Sequence, residues 1–462
     1  MLAKIFSTAQ AKEVFESNIN DSGVSNNFRD VGTSRDNAKE PIHRWFRYPA
    51  KFSNKLVDTA ITYFDIKPGQ LILDPFAGTG TSLIGAKLRG VDSIGIEAHF
   101  FLQWVGATKL YWDFDLDDLQ QKITEIGEKI QDITKAKNET EIGRLPKLVI
   151  NCFSKDTIER LVAIREYLKK NLEEPSLSFF NLAVTDTLRS VANVSMGWPY
   201  VSPKKKLKRE SDVGATFIRK IQNMYEDILT ASKYSPLGKS CLIMGDARDM
   251  GNNWPNGMTL ESGNGDSVDL VISSPPYLNN YDYADRTRLE TYFFGYTSSW
   301  SDITYQVRNK LIMSATTQIK RNSPSPKEIL SIRIKEKTPH VYGQLLEAVD
   351  AMGNIRVNRA GKKKYDYMVA GYFDDMFQVL KEIHRVLKPG RQCVLVLGDS
   401  APYGIYIPTD LLLGDIAIGV GFKEYRIIPL RERGNKWKNL AQRHSVPLRE
   451  SMVILKKSEI KN

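Results

Sequence analysis

The sequence predicts an α/β protein built on a mostly parallel sheet, and three stretches carry that prediction. Leu71-Ile72-Leu73-Asp74 runs through a glycine-rich turn into the helical pattern Leu83-Ile84-Gly85-Ala86-Lys87-Leu88, a strand, turn and helix in direct succession. Asp92-Ser93-Ile94-Gly95-Ile96-Glu97 then returns as a second strand, completing a strand, helix, strand unit. Far downstream, the apolar run Val268-Asp269-Leu270-Val271-Ile272 stops abruptly at Ser273-Ser274-Pro275-Pro276-Tyr277, as a buried strand does where its chain must turn.

Taken in order, each strand ends on chemistry. The first is followed by Pro75-Phe76-Ala77-Gly78-Thr79-Gly80-Thr81-Ser82, a turn whose backbone N–H groups open a helix and can meet the polar end of a ligand. Gly78 and Gly80 supply only the start of a dinucleotide fingerprint, Asp74 would repel a pyrophosphate, and the Gly-Lys-Ser/Thr of a P-loop is missing. An acid at that tip suits a cationic, amino-acid-like ligand, with the glycines permitting close backbone approach. Glu97 ends the second strand, where an acid accepts hydrogen bonds from ribose hydroxyls. Ser240-Cys241-Leu242-Ile243-Met244 is a third strand, followed by Asp246-Ala247-Arg248. One such acid is commonly a solvated loop residue; three at consecutive strand ends point together.

The loop after the fourth strand suits a planar base carrying an exocyclic amine. Its carbonyls lack ladder partners and can accept N–H hydrogens beside the Ser274 hydroxyl, while the Tyr277 ring offers a stacking face. Alone, the pentapeptide reads more readily as a plain strand-terminating Pro-Pro, and it is the glycine-rich turn upstream that reverses the balance.

These motifs in this order resemble the S-adenosylmethionine-dependent amino-methyltransferases, specifically the DNA methylases of the N4-cytosine and N6-adenine group. DPFAGTGT corresponds to the methionine-side loop, IGIE to the ribose acid, GDAR to the adenine-side acid and SSPPY to the catalytic loop. Arg47-Tyr48-Pro49-Ala50-Lys51-Phe52 resembles the family's extra N-terminal cofactor motif, Tyr372 to Leu387 the helix before the fifth strand, Leu387 to Ser400 that strand, and Arg449 to Leu455 the closing strand. The resemblance covers about half the chain. It implies a Rossmann-like methyltransferase with a mostly parallel seven-stranded sheet closed by an antiparallel strand and interrupted by helical insertions. It also implies S-adenosyl-L-methionine held by Tyr48, Lys51, Phe52, Asp74, Phe76, Gly78, Gly80, Thr81, Glu97, Asp246 and Ala247, with Ser274, Pro275, Pro276 and Tyr277 as the catalytic loop. The methyl would pass in line to the exocyclic nitrogen, Ser274 and the Pro275 carbonyl orienting the amine, Tyr277 stacking on the base and Phe76 facing the sulfonium.

Within this resemblance, Ser rather than Asp at position 274 implies N4 of cytosine, a neutral hydroxyl being able to donate to or accept from the ring edge. The expected function is therefore site-specific methylation of cytosine N4 in double-stranded DNA with a flipped target base, alongside a possible cognate restriction endonuclease. N6-adenine DNA methylation, RNA exocyclic-amine methylation and a non-enzymatic nucleic-acid-binding protein are the alternatives.

Composition agrees. The chain has 462 residues and 42% hydrophobic content, enough for a large core, and 65 basic against 54 acidic residues give +11, a balance that favours a polyanionic partner. Cys152, Cys241 and Cys393 are scattered, and the five histidines show no metal-binding spacing, so buried thiols and no metal are expected. No apolar stretch is long enough for a bilayer and no signal-peptide core is visible, so no membrane association and a cytoplasmic location are expected.

The anchors divide the chain into a poorly ordered arm (1–40), the cofactor-binding half of the core (41–110), a helical insertion (111–238), core strands with the catalytic loop (239–285), a basic and aromatic insertion (286–368) and the rest of the core (369–462). Helices are expected over Leu116 to Ile133, Thr157 to Leu172 and Phe217 to Leu229. The family's familiar place for target recognition, just before the catalytic loop, holds only Asp246 to Asp266, so recognition is expected in the insertions. Lys204, Lys205, Lys206, Lys208 and Arg209, beside Trp198 and Tyr200, read either as phosphate contacts or as a solvated charged loop. Tyr281, Tyr283, Arg286 and Arg288 read as pocket mouth or strand contacts, with core packing equally open for the tyrosines, and Arg433 to Lys438 as a third contact loop.

Overall fold

The computed structural model describes residues 28, 36–48, 52–195, 201–207, 212–250, 266–279, 281–358, 363–433 and 448–459. Its main sheet has seven strands: β1 (Leu71–Asp74), β2 (Asp92–Glu97), β3 (Ser240–Met244), β4 (Val268–Ser273), β5 (Leu387–Gly398), β6 (Phe422–Arg433) and β7 (Leu448–Lys457). They lie in the order β3-β2-β1-β4-β5-β7-β6. All neighbours are parallel except β7, which pairs antiparallel with both β5 and β6. This is the Rossmann-like methyltransferase architecture expected from the sequence.

The central strands carry no polar face because both sides are covered. β4 is buried throughout and β1 and β2 nearly so, as parallel strands between helical layers require. Asp269 is the charged residue within β4, and it is satisfied: it pairs with Lys388 at 2.9 Å and accepts the Leu71 N–H at 3.0 Å, fixing the start of β1 against β4 and β5. The strand order reverses between β1 and β4. Ligands of open α/β sheets bind at such a switch point, beyond the carboxyl ends of the strands.

Helices flank the sheet: α1 (Asn54–Tyr63), α2 (Thr81–Leu88) and α3 (Phe100–Leu110) near the first strands. Between β2 and β3 come α4 (Leu116–Lys135), α5 (Lys155–Asn171), α6 (Ser176–Val191) and α7 (Val213–Ala231). α4, α5 and α7 cover the three expected stretches with ends shifted by a few residues, whereas α6 was not anticipated. These helices do not stand apart. Leu119, Ile123, Leu161, Phe179, Leu182 and Phe217 share one hydrophobic cluster with Leu83, Ile84, Phe101 and Val105 of α2 and α3. A small antiparallel ribbon, Val194–Ser195 with Ser202–Lys206, follows α6. The second interruption holds short helical turns and α8 (Pro339–Val357), before α9 (Tyr365–Val386) leads into β5 and α10 (Thr409–Val420) into β6.

Among the described residues no helix is long and apolar enough to cross a membrane, and no group of three or more His, Cys, Asp or Glu side chains is placed to hold a metal ion. Of the three cysteines, Cys152 and Cys393 are buried and Cys241 is half-buried.

Candidate active site

The loops after β1 and β4 meet at the switch point, and Asp74 joins them. Its carboxylate accepts from the Phe76 N–H at 3.0 Å, from the Ser273 hydroxyl at 2.6 Å and from the Ser82 hydroxyl at the start of α2. Burial pushes its pKa up to about 6, with those hydrogen bonds opposing the rise. Asp74 is thus a buried tie between two loops and a helix. Gly80 takes the left-handed conformation (φ 81°) just before α2, a turn that a residue with a Cβ would enter only under strain.

Glu97, at the tip of β2, faces the cavity beside this loop. Each oxygen accepts one backbone N–H, from Gly78 and from His99, both at 2.8 Å, leaving further acceptor capacity on each. Burial raises its pKa to about 7 against the pull of those two bonds. His99 caps α3: its Nδ1 accepts the Phe101 N–H, so Nε2 donates to the Thr287 hydroxyl at 2.6 Å. Burial holds that ring neutral, with a pKa of about 3. Asp246, beyond β3, is partly exposed at the cavity and is gripped by Arg248, which also binds Asp375 at 2.8 Å and the Lys310 carbonyl at 3.2 Å.

Opposite them stands the Ser274–Tyr277 loop. The Ser274 hydroxyl is 3.3 Å from the Val396 carbonyl and 3.5 Å from the Tyr277 phenol, and the Tyr277 N–H donates to the Tyr283 hydroxyl at 3.2 Å. Burial pushes the Tyr277 phenol above its ordinary range, so it stays neutral. The Arg433 guanidinium lies 4.8 Å from the centre of the Tyr277 ring. Gly398 makes room for this pair, since a Cβ there would come within 1.9 Å of Arg433 Nη1 and 2.7 Å of Tyr277 Cδ2. Arg431, next to it, forms a two-point pair with Glu450 at 2.9 and 3.0 Å.

One cavity therefore gathers Tyr48, Phe76, Gly78, Glu97, Asp246, Ala247 and the whole Ser274–Tyr277 loop, all expected from the sequence. Four other expected cofactor residues are placed differently. Asp74, Gly80 and Thr81 lie behind the loop, where they shape it rather than line the cavity, and Phe52 packs on the cluster of Leu56, Val57 and Ile72. Lys51 lies outside the described residues.

The expected nucleic-acid contacts need correction. Tyr281 and Arg286 are buried, because residues 281–293 fold inward through Ala284, Leu289 and Phe293, and a buried Asp282–Arg308 ion pair at 2.7 Å locks that turn. Tyr281 packs on Tyr283 with ring centres 4.5 Å apart. Neither Tyr281 nor Arg286 is a surface contact. Lys204, Lys205 and Lys206 lie in the ribbon after α6, while Lys208, Arg209 and 434–438 are outside the described residues. Residues that no motif announced also line the cavity: His99, Lys310, Leu311, Ile312, Arg431 and Glu450. Only His99 left a signal, as a polar residue two positions past an acidic strand tip at the start of a helix.

A family model described as "DNA methylase", of the N6/N4 methyltransferases, matches residues 4–101. The chain is 26% identical over 456 residues to the type II methyltransferase M.BsoBI of Geobacillus stearothermophilus, covering 91% of this chain and 86% of that protein. It is 27% identical over 452 residues to M.AvaI of Nostoc, covering 93% and 89%. The chain is thus similar to the N4/N6 amino-methyltransferases, with relatives aligned along most of its length.

S-adenosylmethionine is accordingly the methyl donor of this amino-methyltransferase. A third relative, the type II methyltransferase M.MvaI of Kocuria varians, is 22% identical across 95% of both chains. The alignments thus run through both insertions.

Proposed function

We propose that this amino-methyltransferase transfers the methyl group of S-adenosylmethionine to the exocyclic N4 of cytosine within a specific site in double-stranded DNA, as the modifying partner of a restriction endonuclease. The observation that carries the proposal is the convergence of Glu97, Phe76 and the Ser274–Tyr277 loop on one cavity at the sheet's switch point. The type II methyltransferases M.BsoBI, M.AvaI and M.MvaI, aligned along most of the chain, support DNA as the polymer and restriction-modification as the setting.

The cavity's chemistry fits the donor. Glu97 offers a carboxylate with acceptor capacity to ribose hydroxyls, Phe76 an aromatic face, and Tyr48 a buried hydroxyl that has no hydrogen-bond partner among the described residues. When bound, S-adenosylmethionine supplies an electrophilic methyl on a sulfonium. The chain's own residues then position the acceptor. The Ser274 hydroxyl and the Pro275 carbonyl orient the amine so that its lone pair is freed from conjugation, and Tyr277 stacks on the base. No group of the enzyme forms a covalent bond to the base. The Arg433 guanidinium lies over one face of the Tyr277 ring, 4.8 Å from its centre, which leaves the other face for a stacked base. Stacking of the base on that ring is worth roughly 1–3 kcal/mol.

Glu97 makes cofactor binding pH-dependent. An ionised carboxylate is the better acceptor for ribose hydroxyls, so binding lowers a pKa that stands at about 7 in the free enzyme. Affinity should rise as pH climbs through that value and level off above it. Calorimetry is expected to give about tenfold weaker binding near pH 6 than near pH 8, with Glu97→Gln weak and flat across that range. A pH-independent wild-type affinity would remove Glu97 from the ribose.

A further inference from the structure

A second concave site lies on the other side of the segment that carries Tyr48. It has a volume of about 330 Å³ and is lined by Lys39, Arg44 and Arg47 of the N-terminal segment, Asp186 of α6, and Lys220 and Asn223 of α7. Four cations thus face one carboxylate. Two of them are already compensated: Lys220 pairs with Asp186, and Arg44 pairs with Asp227 beneath the wall. Lys39 and Arg47 are exposed and form no ion pair among the described residues, Lys39 acting on the Asp36 carboxylate only at longer range, so the cavity keeps a positive balance beside an amide donor.

The wall is built to hold its shape. Asp227, almost fully buried, accepts from the Ile42 N–H at 2.8 Å, from Arg44 Nε at 3.0 Å and from Trp45 Nε1 at 2.9 Å. Arg189 of α6 donates to the Arg47 carbonyl at 3.0 Å and stacks on Phe46 at 4.4 Å. Along this pinned segment Trp45 and Arg47 line the basic cavity, whereas Tyr48 lines the catalytic one. An anion seated by Arg47 therefore sits one residue across the wall from the catalytic cavity.

We propose that this cavity is a phosphodiester seat for the nucleic-acid strand whose base enters the catalytic cavity. The proposal rests on the reading of the chain as a nucleic-acid methyltransferase. The Arg47 guanidinium is a planar fork suited to phosphate oxygens, Lys39 adds a point charge, and the Asn223 amide can complete the donor set. The expected cofactor residues Tyr48, Phe76, Gly78, Glu97 and Asp246 line the other cavity, which leaves this basic one to the polymer backbone. Fixing one phosphate beside Tyr48 would set the register of the strand relative to the Ser274–Tyr277 loop.

The test is the salt dependence of binding to random-sequence double-stranded DNA, followed by fluorescence anisotropy with the full chain and the double variant Lys39→Ala/Arg47→Ala. The variant is expected to bind about tenfold more weakly in low salt and to lose about one unit of slope in log K against log [NaCl]. Lys39→Ala alone should keep the wild-type calorimetric affinity for S-adenosylmethionine while losing part of the slope, and Arg47→Lys alone should keep the slope. An unchanged slope in the double variant overturns the proposal, as does a loss of cofactor affinity that accounts for the weaker DNA binding. Titration of inorganic phosphate into the wild type separates the sources: saturable phosphate binding with an unchanged DNA slope means a free-anion site and also overturns it. Wild-type enzyme that labels DNA while the variant's slope is unchanged fails this inference alone. Wild-type enzyme that labels RNA and not DNA fails the DNA reading, and the slope on RNA then decides the seat.

Discussion

Tyr277→Ala is expected to lower methyl transfer by about 10–100-fold while leaving the affinity for S-adenosylmethionine near the wild-type value, because the stacking lost is worth roughly 1–3 kcal/mol per base. Tyr277→Phe should keep much of the activity, since the ring face survives. Its hydroxyl is a neutral group 3.5 Å from Ser274 and holds no proton that the transfer needs. Ser274→Ala should also reduce turnover without weakening cofactor binding, as its hydroxyl points to the Val396 carbonyl and to Tyr277 rather than to Glu97 or Phe76. Turnover under single-turnover conditions together with calorimetric binding separates these effects. Full activity of Tyr277→Ala would refute the stacking role.

Asp74→Ala should have the largest effect on the cofactor, though through an indirect route. The side chain does not reach the cavity; it holds the Pro75–Gly80 turn to Ser273 of β4 and Ser82 of α2. Removing it leaves two hydroxyls and the Phe76 N–H without their buried acceptor, at a cost on the order of 2–4 kcal/mol of stability. Both loops that wall the cavity loosen together. The expected result is a lower unfolding midpoint with S-adenosylmethionine affinity reduced at least about tenfold in protein that is still folded. Asp74→Asn, which keeps an acceptor oxygen, should lie between the two. Unchanged calorimetric affinity in a folded Asp74→Ala protein would show that the turn keeps its shape without this tie.

The sheet was legible in the sequence because its central strands are buried on both faces and end on acids or prolines, local signals that survive without an alignment. The cavity was legible for the same reason: Glu97, Asp246 and Ser274–Tyr277 all sit at strand tips, and parallel strands bring their carboxyl ends to one side. What failed was anything decided by tertiary burial. α6 left a blurred period, because the polar Thr185, Asp186 and Thr187 are buried together with Phe179, Phe180, Leu182, Ala183 and Leu188. Tyr281 and Arg286 looked like pocket-mouth residues because nothing local announces that Asp282 will pair with Arg308 and draw the turn inward. The covering of Tyr277 by Arg433 joins the catalytic loop to the end of β6, and only the closing strand pair makes them neighbours. Asp74 stands at the strand tip where the sequence puts it, but its partners Ser82 of α2 and Ser273 of β4 are set by the tertiary fold and have no local signal.

The most direct measurement is to incubate the wild-type protein with unmethylated DNA, and in parallel with RNA, in the presence of tritium-labelled S-adenosylmethionine, and to digest the labelled polymer to nucleosides for chromatographic identification. Label recovered from DNA as N4-methylcytosine is the expected result. N6-methyladenine as the sole product would show that Ser274 does not select cytosine, and label confined to RNA, or absent from both polymers, would contradict the proposed function itself.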